Sequence, residues 1–275
     1  MHTSLRSRVA LALVKKQLPK IMAADPVAAL PDGLHVAIVG SGSPLPDPKR
    51  GNPCVAVIAG KKVYIVDAGE QSSETLNRMQ IDAGHIETVL LTHFHSDHIG
   101  GLGSINLQRW IAQGERPALK VFGPPGVDRV VNGLNEAYAL DSSYRTAHHG
   151  SEVAQPATSA MVAEEFELPA GGESKVVLED DGLKVTTFVV DHSPVEPAVG
   201  FRFDYKGRSA VISGDTVYAP PLVKASEGAD LLVHDALSRR LLKLAEDAAG
   251  DAGLDKRQQI LADVWDYHAT PQEAA

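Results

Sequence analysis

The sequence is poor in cysteine, in aromatic residues and in long apolar runs. Its single cysteine, Cys54, cannot form a disulfide within the chain, so packing or bound metal must supply the stability. No run approaches the ~18 apolar residues that a membrane-spanning helix needs. Basic residues number 26 against 35 acidic ones, and the net charge of −9 argues against a broad basic surface for nucleic acid.

The chain does have ample length, apolar residues and histidine. Its 275 residues are 44% hydrophobic, which provides a large core and excludes disorder for most of the chain. Segment 1–33 places basic residues around a short apolar run, Val9 to Val14, and this predicts an amphipathic surface helix. The alternative is a membrane-proximal stalk whose anchor lies outside this sequence. The compartment is therefore left open between cytoplasm and periplasm.

Short apolar runs separated by turn residues begin at Leu34 and predict strands. They form two groups, each ending in helices, and this order favours an α/β sandwich of mixed sheets over a simple βαβ alternation. We assign residues 34–275 to this domain. Residues 141–172 are rich in Ala, Ser, Pro and Gly, and we expect them to form an irregular insertion.

Four potential metal ligands fall within six residues, directly after an apolar strand. Side chains two apart at the end of a strand share a face, so His93 and His95 can bind one ion. Asp97 and His98 follow on the turn into the next helix and can face a second ion. Imidazole and carboxylate ligands suit Zn²⁺, and also Fe and Mn.

This run, His-Phe-His-Ser-Asp-His, resembles the His-x-His-x-Asp-His motif of the metallo-β-lactamase superfamily. The preceding strand ends in Asp67-Ala-Gly69, which is similar to the Asp-x-Gly of that family. The resemblance implies a four-layer αβ/βα sandwich with the metals at one edge. It also implies that Asp67 supports the ligand loop by hydrogen bonds, and we assign Thr92 to the same supporting group.

Later segments resemble the ribonuclease Z-like branch of that family, which also includes phosphodiesterases and arylsulfatases. His192 stands in Asp-His-Ser-Pro, and Gly200-Phe-Arg202 follows it as in the segment of the third metal histidine. Asp215 ends a strand and resembles the aspartate that bridges the two metals. Both residues are therefore candidate ligands.

His234-Asp235 resembles the His-Glu pair of the family, with Asp in place of Glu. By that resemblance Asp235 orients His268, the counterpart of a histidine that meets the scissile group, and His234 supports it. In the family a helix and a strand follow, and that strand ends in the last metal histidine, whereas this sequence ends at Ala275. The fold would then lack its last helix and strand. Three readings of the last metal histidine follow: it is missing, His268 replaces it, or another chain supplies it. We favour the first.

The resulting metal prediction is two Zn²⁺ ions, with Mn or Fe as alternatives. The complete site would use His93, His95, His192 and Asp215. The second would keep only Asp97, His98 and Asp215 and would bind more weakly. We also name three candidate substrate contacts in the insertion: Arg145, His148 and His149.

The function predicted from these residues is hydrolysis of an anionic ester, above all a small phosphodiester, by a metal-activated water. Asp97, Asp235 and His268 are the candidate catalytic residues. The alternatives are an arylsulfatase, a tRNA 3′-processing endonuclease, and a non-catalytic or redox metal-binding module. The acidic charge disfavours a large nucleic acid as partner. A homodimer is implied by the resemblance alone.

Overall fold

Two β-sheets face each other, and helices cover their outer faces in the computed structural model, which describes residues 5–45, 47–112 and 116–275. One apolar cluster lies between the sheets, a second between the first sheet and its helices, and a third between the second sheet and its helix. The predicted four-layer α/β sandwich is thereby confirmed.

The first sheet has six strands in sequential order. Its first three strands are antiparallel, and the pairs from the third strand onward are parallel. The strands are β1 (Leu34–Gly40), β2 (Cys54–Ala59), β3 (Lys62–Val66), β4 (Ile86–Leu90), β5 (Lys120–Gly123) and β6 (Val162–Glu165).

The second sheet has five strands in the order β11-β10-β9-β8-β7. All pairs are antiparallel except β10 with β11, which is parallel. The strands are β7 (Ser174–Asp180), β8 (Leu183–Val189), β9 (Val199–Tyr205), β10 (Arg208–Ile212) and β11 (Leu231–Val233).

Strand β3 shows how the sequence builds two cores from one strand. Val63 and Ile65 pack against the helices, whereas Tyr64 and Val66 pack against the second sheet. Successive side chains of a strand point to opposite faces, so a strand that is buried on both faces must be apolar throughout. This double burial fixes the register of β3, which ends where the site begins.

Helices cover both outer faces. Those on the first sheet contribute Leu76, Leu102 and Val131, and the one on the second contributes Leu222. The helices are α1 (Leu5–Met22), α2 (Pro26–Ala29), α3 (Ser72–Arg78), α4 (Ser96–Ile99), α5 (Leu102–Trp110), α6 (Val127–His149), α7 (Pro220–Ser226), α8 (Arg239–Asp251), α9 (Asp255–Asp263) and α10 (Pro271–Ala274).

The prediction of an irregular insertion at 141–172 is wrong for its first residues and for one later segment. Helix α6 continues to His149, and residues 162–165 form β6, which pairs with β5. Neither Gly nor Pro interrupts α6 between Gly133 and its end, and the Arg145–Asp141 ion pair supports its last turns. Gly150, at φ +82°, follows the helix directly.

Segment 1–33 contains α1 and α2. Val27 of α2 is buried in the core, and Asp25 pairs with His85 at 2.8 Å. The division between 1–33 and 34–275 stays a prediction. None of the helices in the described ranges is long and apolar enough to cross a membrane.

Candidate metal centre

One edge of the sandwich gathers the polar residues that follow five of its strands. A cleft of about 890 Å³ opens there, partly lined by residues 41–45 and 47–48. Carboxyl ends of parallel neighbours meet at the same edge of a sheet, so segments distant in sequence converge. The residues that follow the strands are Asp67 after β3, 92–98 after β4, His192 after β8, Asp215 after β10 and 234–235 after β11.

Asp67 holds the loop that follows β4. One carboxylate oxygen accepts the backbone N–H of Thr92, and the other accepts its hydroxyl and Nδ1–H of His98, all at 2.8 Å. Asp67 is 4% exposed and has φ +57°, a left-handed conformation that Asp tolerates better than most residues. Gly101 lies so close to the backbone after Asp67 that a Cβ there would lie 2.1 Å from the carbonyl oxygen of Gly69. These contacts hold the loop against the end of β3.

Three imidazoles form the first group of donors. Ligand atoms of His93, His95 and His192 all lie within 4.8 Å of one another. Nδ1–H of His192 donates to the carbonyl oxygen of Tyr267 at 2.9 Å, so the opposite nitrogen, Nε2, carries the lone pair. That Nε2 is buried and has no hydrogen-bond partner among the described residues. It is thus oriented as a ligand.

The second group consists of His93, His98 and Asp215, again within 4.8 Å. Because Nδ1 of His98 bonds Asp67, its Nε2 faces Asp215 Oδ2 at 3.2 Å and Asp97 Oδ2 at 3.9 Å. The contact with Asp215 lacks hydrogen-bonding geometry, and Nε2 of His98 is a second buried nitrogen without a partner in the described chain. Asp97 lies outside this tight group, on its rim.

Burial keeps one imidazole of the centre neutral, whereas two carboxylates favour a positive charge on another. Burial lowers the pKa of His93 to about 2, so this imidazole is neutral. Burial also opposes charge on His98, but Asp67 and Asp215 outweigh it and hold the pKa of His98 well above its usual value. The pKa of Asp215 is lowered because His98 outweighs the effect of burial. The two carboxylates thus favour positive charge where a cation would lie.

A third group lies beside the second. His268 Nδ1–H donates to Asp235 Oδ2 at 2.8 Å, and the backbone N–H of Asp235 donates to Ser213 Oγ at 3.0 Å. Asp215, Asp235 and His268 also have ligand atoms within 4.8 Å of one another. His234 is turned to the carbonyl oxygen of Asp235, with its Nδ1 at 2.6 Å. The geometry thus permits His268 either to act with Asp235 or to bind an ion.

These donors fit a divalent metal. Two buried imidazole nitrogens lack a hydrogen-bond partner, and burying such a group without one costs free energy. Both histidines have the other nitrogen fixed, by a carboxylate in His98 and by a carbonyl in His192. This arrangement is typical of metal-binding histidines.

Three predicted substrate contacts do not reach the centre. Arg145, His148 and His149 lie on the last turns of α6 and are absent from the lining of the cleft, and Arg145 pairs with Asp141 on its own helix. The sequence analysis overlooked Tyr267. Its carbonyl orients His192, and its ring lies 4.8 Å from that of His192. Only its position next to His268 could have indicated this.

Comparison with known proteins identifies the family and the fold. The family model of the metallo-β-lactamase superfamily matches residues 48–254. Ribonuclease Z of Mycobacterium avium is 35% identical over 244 residues, 88% of this chain and 80% of that protein, and ribonuclease Z of Mycobacterium marinum gives the same values. The crystal structure of the short form of human tRNase Z has a TM-score of 0.64 at 22% identity, covering 86% of this chain and 85% of that one.

These relatives correct the partner prediction, which disfavoured a large nucleic acid. Proteins that are 35% identical over most of the chain are ribonucleases, so the net charge of −9 was the wrong criterion. Net charge sums over the whole surface and does not report the field within one cleft. The chain belongs to the metallo-β-lactamase superfamily, in its ribonuclease Z-like branch, and is a metal-dependent hydrolase.

Proposed function

We propose that this chain is an endoribonuclease that cleaves a phosphodiester bond on the 3′ side of tRNA precursors. The observation that carries the proposal is the 35% identity to ribonuclease Z over 88% of the chain. It is supported by the donor groups, several of whose residues line a cleft of about 890 Å³. A tRNA precursor thus replaces the small phosphodiester that was predicted as substrate from the sequence.

The proposed metal ligands divide between the first two groups. His93, His95 and His192 would hold one ion, His98 and Asp97 the other, and Asp215 would reach both, with zinc as the expected metal. Bound ions of this kind supply a water of lowered pKa and positive charge for the developing phosphorane oxygens.

The chain's own residues would orient this chemistry. Asp67 and the carbonyl of Tyr267 hold a proton on Nδ1 of His98 and His192, so both rings would bind through Nε2, which in His98 must first lose the proton that its raised pKa retains. Thr92 ties the loop to the end of β4 through the same carboxylate. These contacts hold the donors before any ion arrives, which reduces the reorganisation that binding costs.

Asp235 and His268 would act on the leaving group. Asp235 accepts Nδ1–H of His268 and so fixes the ring, with Nε2 left to donate a proton to the departing ribose oxygen. The turn that carries His268 is tied down by two backbone bonds of 2.7 Å, Ala269 N–H to Thr216 and Leu237 N–H to Ala269. A general acid must be held in this way within hydrogen-bonding reach of the atom it protonates.

The test is cleavage of a tRNA that carries a 3′ extension, with zinc present. We expect a single cut on the 3′ side of the acceptor stem. We also expect His268→Gln to lower kcat by about 10²-fold or more, with little change in zinc affinity.

Two controls accompany this test. An RNA hairpin of the same length without the tRNA elbow should be cut far more slowly, and His149→Gln, a matched change outside the cleft, should leave kcat unchanged. Equal rates on tRNA and hairpin, or cleavage of aryl phosphates and sulfates but not of tRNA, would refute the proposal.

A further inference from the structure

Helix α1 concentrates positive charge in an acidic protein. It spans Leu5–Met22 and contains five basic residues and no acidic one. The whole chain carries −9 and this helix +5, so the remainder carries −14. The basic residues are Arg6, Arg8, Lys15, Lys16 and Lys20.

The same helix exposes an apolar stripe. Residues at spacings of three and four align on one face of a helix, and five apolar side chains follow this spacing. Their exposed fractions are 62% for Leu11, 55% for Val14, 47% for Leu18, 58% for Ile21 and 78% for Met22. Lys16 and Lys20 lie on the opposite face, where Val9 and Leu13 are also exposed. Within the part of the chain that the structure describes, neither face of residues 9–22 is covered.

We propose that α1 is an interfacial helix that binds an anionic lipid surface with the stripe inserted and the lysines at the headgroups. Helices that combine an exposed apolar stripe with basic residues outside it lie in the plane of a membrane in this way. The helix does not span, because it is neither apolar nor uncharged enough. Each lysine near an anionic surface strengthens such binding.

Charge alone would also suit RNA, but the stripe argues for lipid. Phosphate contacts need basic side chains and gain nothing from a row of exposed leucine, valine and isoleucine. An exposed apolar row of this length is instead a site of association with another apolar phase. The acidic remainder would be repelled from an anionic surface, so α1 would hold the body at a distance from it.

The experiment is flotation of the full chain with vesicles of phosphatidylcholine alone and of phosphatidylcholine with about 30 mol% phosphatidylglycerol. We expect binding to the anionic vesicles only, and release by salt. The double variants Lys15→Glu/Lys16→Glu and Leu11→Gln/Leu18→Gln should each bind at least about tenfold more weakly. Glutamine is a good helix former, and far-UV circular dichroism checks that α1 persists.

Matched controls separate α1 from the surface in general. Lys256→Glu/Arg257→Glu changes an adjacent exposed basic pair on α9, and Leu140→Gln changes a leucine on α6 that is 66% exposed. Both controls should bind vesicles as the unaltered chain does. The proposal fails if anionic vesicles are not bound, if the controls lose binding equally, or if the α1 variants lose affinity for tRNA and not for vesicles.

Discussion

Replacing Asp67 by asparagine tests whether the supporting carboxylate decides the ligand state of His98. One oxygen of Asp67 meets the N–H of Thr92, and the other meets both the hydroxyl of Thr92 and Nδ1 of His98. If the side-chain oxygen of the asparagine keeps the bond to the Thr92 N–H, the NH₂ group of the same side chain faces Nδ1 of His98. That nitrogen must then accept, and the proton moves to Nε2, the proposed ligand atom.

The magnitude follows from the bonds that change. Three hydrogen bonds to the carboxylate lose their charge assistance, at about 1 kcal/mol each, so we expect a loss of about 3 kcal/mol in the free energy of unfolding. Zinc affinity should fall by about 10–100-fold, the usual effect of removing a group that orients a metal-binding histidine. Asparagine tolerates the left-handed backbone of position 67, so backbone strain adds little.

Two measurements separate these effects. Urea unfolding of the metal-free protein gives the stability change, and competition with a chromogenic chelator gives the zinc affinity. Asp180→Asn is the matched control, since Asp180 also binds two partners, Lys62 and Tyr64, but lies away from the cleft. Unchanged zinc affinity in Asp67→Asn, or an equal loss in Asp180→Asn, would refute the reasoning.

Three further changes have defined outcomes. Asp235→Asn should lower kcat on tRNA precursor by about 10–100-fold, because His268 loses its orienting carboxylate, while a parallel loss of zinc affinity would make the pair metal ligands instead. Tyr64→Phe should cost about 1.5–3 kcal/mol by urea unfolding near neutral pH. Burial opposes the charge of Asp180, but Lys62 and Tyr64 lower the pKa of its carboxyl group. The stabilisation by the ionised carboxylate is therefore complete above pH 3.8, its ordinary pKa, and is lost as the pH falls through the lower pKa of the folded protein. Gly101→Ala should lower Tm by several degrees in a thermal melt, since its Cβ would strike a carbonyl oxygen at 2.1 Å.

The strands and the ligand loop were predictable because their signals are local. The strands of both cores are apolar runs bounded by turn residues, and the motif of His93 to His98 is contiguous. The predicted insertion began inside helix α6 because Asp, Ser, Thr and His, which make up most of residues 141–149, have weak helix preferences. Strand β6, of sequence Val-Ala-Glu-Glu, is a strand only because it pairs with β5.

Other features of the centre depend on tertiary contact. The bond from His192 to the carbonyl of Tyr267 joins residues 75 apart in sequence. No pattern of residue types encodes a backbone carbonyl as an orienting group. Likewise, the ring of His268 reaches Asp235 only because a turn near the end of the chain is bonded to Thr216 and Leu237. The ligand roles themselves remain predictions, now with a definite geometry.

The central claim is tested most directly by titrating the metal-stripped protein with zinc while cleavage of a 3′-extended tRNA is followed in single turnover. The account predicts no cleavage without metal, and a rate that rises with bound zinc to a plateau. Asp215→Ala, which removes the carboxylate shared by two donor groups, should abolish both the rise and tight binding. Cleavage that persists without metal, or in Asp215→Ala, would contradict the account.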